Sequence, residues 1–258
     1  MRRLGNSPVT PFLGGGAAVL LQVAHPLVAC GVVEHSGYER DLWRRLSRTL
    51  RALYLITFGD REEAEQAGAA VQAVHAQVHG RTHRQLGVFP PGTAYSASDP
   101  ELMLWVHATL VHSSLAAYER FQQPLTLEER RRYHGEMRLV ARLFGTPEAV
   151  LPRDYREFQA YFDGQVSSST ISVTQPAREV ADVILAAPLP PPLRLLAPAH
   201  RLATAHILPD KLRGQYGLRW TQLHDLALPL AGAGVRYGTV PVLTVAGRIP
   251  FLGYRRAA

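Results

Sequence analysis

Residues 97–121 read ASDPELMLWVHATLVHSSLAAYERF, and this stretch decides the fold. Asp99 followed by Pro100 is a helix start: the aspartate can accept from free first-turn N–H groups, and proline at the first position needs no partner. From Leu102 to Phe121 apolar side chains fall on nearly every side of a helical wheel, which marks a helix enclosed by others. The flanking sequence supplies those neighbours. Residues 15–33 read as a buried helix, kinked or broken near Pro26. Residues 38–58 form a second helix ending at Gly59. Asp60 caps a third, with Glu62 and Glu63 in its first turn, running to about His79 and stopping at Gly80.

Beyond the central helix, Thr126 and Glu129 form a capping box for a helix reaching Leu143 and closed by Gly145. Further helices are expected near 153–164, 175–187, 199–208, 210–217 and 220–236. Two segments break the pattern. GVFPPGTAYSASDP (87–100) is a loop, and APLPPPLRLLAP (187–198) is a stiff proline-rich connection. The segment beyond that connection is too short to hold a core of its own, and strand patterning is scarce. The expected fold is all-α, one domain over residues 1–258, with residues 1–12 an N-terminal arm and 237–258 an irregular C-terminal arm.

Composition narrows the function. The chain has 258 residues, 47% of them hydrophobic and 19% charged, which suits one large folded domain. Its net charge of +7 comes almost wholly from arginine, with Lys211 the only lysine. The arginines are dispersed, without the basic runs and interleaved aromatics of a nucleic-acid groove. Nucleic acid is therefore not an expected partner, while weak peripheral attraction to an anionic membrane is compatible with the charge. The single cysteine, Cys30, excludes an intramolecular disulfide and a cysteine-rich metal site. The arginines and apolar stretch near the N-terminus superficially resemble an export signal. Pro8, Pro11, Gly14–Gly16, Gln22, His25 and Pro26 interrupt it, and its apolar runs fall far short of the roughly 20 residues that span a bilayer. A cytoplasmic protein with no integral span is expected.

RRLSRTLRALYLITFG (44–59) carries four arginines in an apolar helix. On a wheel, Leu42, Leu46, Leu50, Leu53 and Ile56 share one arc, with Arg44, Ser47 and Arg51 roughly opposite. Arg45 and Thr49 lie inside the apolar arc, with Arg48 at its margin. A guanidinium there needs an anion or acceptors, since burying an unpaired charge costs several kcal/mol or more. Arg45 either pairs with a carboxylate from another helix, snorkels to water, or lines a ligand pocket together with Arg48 and Thr49.

Eleven histidines raise the question of a metal. His75, His79 and His83 stand at i, i+4 and i+8, but no HExxH glutamate lies between the first two, and no ExxH di-iron motif occurs. His75 sits among Val71, Val74 and Val78, with Gly68 and Ala64 on the same side, a face against which something flat could lie. It reads either as a satisfied core histidine or as a metal or haem ligand. His107 and His112 lie on different sides of the central helix, as core residues or supports of a site. GxSxG, P-loop, strand-borne GxGxxG and CxxC motifs are absent. GGGAAV opens a helix without a preceding strand and is no phosphate cradle.

LLQVAHPLVACGVVEHS, RLSRT, ITFG, VHAQVHG, AYSASDPELMLWVHATLVHS and LPDKLRGQYGLRW resemble, in order, successive blocks of the mpaB-type oxygenase family, which includes the latex-clearing proteins (rubber oxygenases). The resemblance runs from about residue 13 to 225. It implies a globin-like helical domain around a buried haem b pocket, with His75 as the proximal iron ligand and Arg45, Arg48 and Thr49 matching an Arg-x-x-Lys-Thr stretch at the pocket. His107 is then a candidate cofactor contact. Arg48 replaces the family lysine, and arginine is a poor iron ligand because it stays protonated. The family's catalytic glutamate has no secure match; Glu34, His25 and His35 are candidates. The implied activity is a haem-dependent oxygenase using dioxygen on a small hydrophobic, isoprenoid or alkene-containing substrate. A non-catalytic haem- or lipophile-binding helical protein is the alternative.

Overall fold

The computed structural model describes residues 9–35, 42–186, 194 and 196–234, with side chains described from Leu13 and, in the second segment, from Arg48. Its helices in chain order are α1 (Val9–Val23), α2 (Pro26–His35), α3 (Leu42–Phe58), α4 (Arg61–Ala76), α5 (Pro100–Phe121), α6 (Leu127–Leu143), α7 (Tyr155–Ser167), α8 (Gln175–Ala186), α9 (Ala197–Ile207), α10 (Asp210–Gln215) and α11 (Gln222–Gly234). A 3-10 turn spans Glu148–Val150. The expected all-α class is found.

α5 is the axis. Trp105, Ala108, Val111, Leu115 and Tyr118 bury themselves among Leu20, Leu21, Met137, Phe158, Phe162 and Leu212 from the surrounding helices. α1 crosses α5 closely because Gly14 lacks a side chain: a Cβ there would stand 2.9 Å from the Ser113 carbonyl oxygen. Gly16 gives the same clearance to Thr204 and His200 of α9 on the other side. The glycine run is thus a helix-packing feature.

Carbonyls at the end of α1, and that of Ala24 just beyond it, also accept from other elements. Trp105 Nε1 donates to Leu21 O at 3.1 Å, Tyr216 Oη to Leu20 O at 2.6 Å, and Ser172 N to Ala24 O at 2.8 Å. The expected break at Pro26 is a full corner: α1 and α2 meet at 107°, with Pro26 opening α2. Together they match a membrane span in length and composition only. Leu20, Leu21, Val23 and Ala24 are fully buried in the protein, and no single helix among the described residues is long and apolar enough to cross a bilayer.

Three expectations need correction. Residues 9–12, read as part of an arm, belong to α1, because Pro11 sits in the first turn where its missing N–H costs nothing. α4 ends at Ala76 rather than His79, and His79–Arg81 (β1) instead pairs antiparallel with Ala94–Ser96 (β2), Gly80 opposite Tyr95. The loop 87–100 therefore contains half of a small hairpin. The proposed arm 237–258 and most of the proline-rich connection lie outside the described residues.

The caps agree with the sequence reading. Asp60 with Glu63, and Thr126 with Glu129, form reciprocal capping boxes, and Asp99 accepts from Glu101 N at 2.8 Å. The sole lysine caps a C-terminus: Lys211 Nζ donates to Val166 O (2.8 Å), Ser168 O (2.5 Å) and Ile171 O (2.9 Å). It stitches the end of α7 to the following turn.

Candidate functional site

His75 stands in the last turn of α4, half-buried. Burial lowers its pKa, so the imidazole is neutral near pH 7, and its Nδ1 is buried without a hydrogen-bond partner. The flanking valines divide: Val71 and Val78 are half-buried, while Val74 is 45% exposed. The small residue Gly68 does not serve a flat ligand. The backbone of Leu143 fills that space, and Gln72 Nε2 donates to the same carbonyl at 2.9 Å.

His79 and His83 do not share a face with His75, because the helix stops before them and both lie exposed in the hairpin. Among the described residues no group of three or more His, Cys, Asp or Glu converges to hold a metal ion. A haem iron does not require one, since the porphyrin supplies four nitrogens and the protein only an axial donor. A neutral imidazole with an unsatisfied ring nitrogen fits that role.

α3 carries the arginine stretch. Arg48, Thr49 and Arg51 are all exposed, and the side chain of Arg45 lies outside the described residues. Thr49, placed by the wheel within the apolar arc, is exposed, while Leu53 and Ile56 further along the helix pack against the core. A cleft of about 360 Å³ lies between that part of α3 and α6, lined by Ile56, Thr57, Arg132, Glu136 and Leu139 among others. His75 is not among its lining residues.

His107 is buried in the core with both ring nitrogens unpartnered. Burial, reinforced by neighbouring His134, pushes its pKa down to about 3. His112, on the other side of α5, stacks on Phe162 with centroids 4.0 Å apart, a packing role. His25 is also structural. Its Nδ1 accepts from Leu27 N at 3.3 Å at the start of α2, and burial lowers its pKa to about 4.

Glu34 and His35 end α2 in an exposed turn, and the hairpin brings a third residue to them. The Tyr95 hydroxyl donates to Glu34 Oε2, and His35 Nε2 lies 3.3 Å from that hydroxyl. His83 Nε2 stands 3.9 Å from Glu34 Oε1. Cys30, one turn earlier, is buried, and its thiol is pushed up to about 11 by burial and by Glu34. This cluster adjoins the His75 end of α4: a Cβ on Gly31 of α2 would stand 3.3 Å from Val78 Cγ1 and 3.8 Å from the Tyr95 ring. Tyr95 was not legible as a site residue. Its only sequence signal is its place in AYSASDP, one of the blocks of the family resemblance.

The family description "ER-bound oxygenase mpaB/B'/Rubber oxygenase, catalytic domain" matches residues 2–237. Two uncharacterised mycobacterial proteins, Mb2261 of Mycobacterium bovis and Rv2237 of Mycobacterium tuberculosis, are each 27% identical over 212 residues, covering 80% of this chain and 80% of theirs. No solved structure matches significantly. With every described residue inside the matched region, the chain belongs to the mpaB/rubber oxygenase catalytic-domain family.

Proposed function

We propose that this protein is a haem b-dependent oxygenase that uses dioxygen on a small hydrophobic substrate, isoprenoid or otherwise alkene-containing. Family membership supports an oxygenase, and the observation that supports haem is His75: a half-buried, neutral imidazole with an unsatisfied buried nitrogen at the end of α4. In this reading His75 would hold the haem iron. Bound haem supplies the dioxygen chemistry, directed at an electron-rich double bond.

The chain's own residues bind and orient. By their match to the family stretch, Arg45 and Thr49 of α3 are assigned to the cofactor side, where a guanidinium would pair with a haem propionate. Arg48 adds a second permanent cation at that margin. His107, neutral and unpartnered in the core, would offer a ring nitrogen for a hydrogen bond to the cofactor or substrate.

The test is reconstitution with haem followed by measurement of dioxygen uptake and product formation with an isoprenoid alkene. Uptake matched by oxygenated product is expected. Tight haem binding without dioxygen turnover across a panel of alkenes would instead identify a carrier.

A further inference from the structure

The Glu34–Tyr95 pair explains how the end of α4 is held. Tyr95 is 5% exposed and lies directly across the hairpin from Gly80. Its ring covers that glycine so closely that a Cβ on Gly80 would stand 2.5 Å from the hydroxyl oxygen. On the other side the ring reaches Gly31 of α2, and its hydroxyl donates to Glu34. The short run from His75 to Gly80 is tied down along its length. Val78 N donates to His75 O at 3.0 Å, and Ala97 N donates to Val78 O at 2.8 Å.

A continuous set of contacts therefore runs from Glu34 through Tyr95 and the hairpin to Val78 and His75. The phenol is held protonated by burial and by the adjacent carboxylate, which raise its pKa further above an already alkaline value. It remains a donor to Glu34 throughout the physiological range. A carboxylate accepting from a buried hydroxyl is a charge-assisted bond, stronger and more directional than a neutral one.

We infer that Tyr95, anchored by Glu34, is a positioning residue that sets His75 by locking the α4–hairpin junction against α2. The inference rests on the reading of His75 as haem ligand, but its geometry stands in the protein without haem. Outer-shell partners of metal ligands commonly change metal affinity by about 10- to 100-fold when removed.

Tyr95→Phe keeps the ring and removes only the hydroxyl. It should leave the far-ultraviolet circular dichroism unchanged, weaken haem affinity by about 10-fold, and shift the absorption spectrum of the bound haem. Glu34→Ala should reproduce that phenotype. Glu34→Gln, whose side-chain oxygen still accepts from the hydroxyl, should restore affinity to near wild type.

Hydrogen exchange of the haem-free protein separates the two claims. Tyr95→Phe should speed exchange of the Val78 and Ala97 amides by about 10-fold, with α5 unchanged. Wild-type protein that takes up no haem overturns the site reading alone. Unchanged exchange at 75–80 and 94–97 in Tyr95→Phe overturns the positioning role, as would an affinity loss in Glu34→Gln as large as in Glu34→Ala.

Discussion

Gly68 of α4 presses against Leu143 at the end of α6: a Cβ on the glycine would stand 2.5 Å from the Leu143 carbonyl oxygen. The helix carrying His75 is thus seated on backbone, which cannot move aside as a flexible side chain would. Gly68→Ala should displace α4 and destabilise the protein by about 1–3 kcal/mol, the usual cost of overpacking. Gly135→Ala, on the exposed side of α6 with nothing within 4 Å of its added methyl, should be neutral or stabilising by up to about 1 kcal/mol. Thermal melts of the two variants check this. Equal melting temperatures would show that the Gly68 contact relaxes at no cost.

Acid should unfold the protein through its core histidines. The folded-state pKa values of His107 (about 3), His25 (about 4) and His200 (about 4) lie below the unfolded value of about 6.5. Above that unfolded value both states are neutral and stability is fully present. As pH falls below it the unfolded chain takes up protons that the folded protein refuses, so stability drops until the folded values are reached. Each residue contributes a slope of about 1.4 kcal/mol per pH unit. Urea midpoints should be flat from about pH 8 to 7 and decline below about 6.5. His107→Leu should make the decline shallower by one residue's share. The same slope in the variant would assign the acid lability elsewhere.

Lys211 is the single lysine in a chain otherwise supplied with arginine, and its three donors meet three carbonyls. A planar guanidinium cannot direct its fork at three converging acceptors as a tetrahedral ammonium does. Lys211→Arg should therefore be destabilising by about 1–3 kcal/mol, close to Lys211→Met. Wild-type stability in the arginine variant would mean that charge alone matters at this position.

The local signals were the readable ones. Asp60 with Glu63, Thr126 with Glu129, and Asp99 with Pro100 announce helix starts because near neighbours in sequence satisfy the helix end without the rest of the fold. The unbroken apolar character of residues 102–121 announced the central helix for the same reason. Features made by distant segments were not readable. β1 exists because Gly80 lies under Tyr95, a residue of the other strand, and no alternation over three residues signals a strand. Gly68 looked like space for a ligand because Leu143 is invisible on the α4 wheel. The wheel likewise set Thr49 in an apolar arc, yet Thr49 is exposed, because the wheel does not show where neighbouring helices reach α3.

Within α3 the arginines should still differ in function. Arg45→Ala should reduce haem occupancy, because the family match assigns it to the proposed cofactor side. Arg51, exposed, should tolerate alanine within about 0.5 kcal/mol and with occupancy unchanged. Haem content per polypeptide, measured on both purified variants, decides the matter. Equal losses would return Arg45 to a structural role.

The most direct measurement is the absorption spectrum of the haem-reconstituted protein beside that of His75→Ala. Ligation by His75 predicts a Soret band in the wild type, with the band shifted and haem content greatly reduced in the variant, while the helical circular dichroism is retained. A His75→Ala protein that keeps full haem with an unchanged spectrum would contradict the assignment.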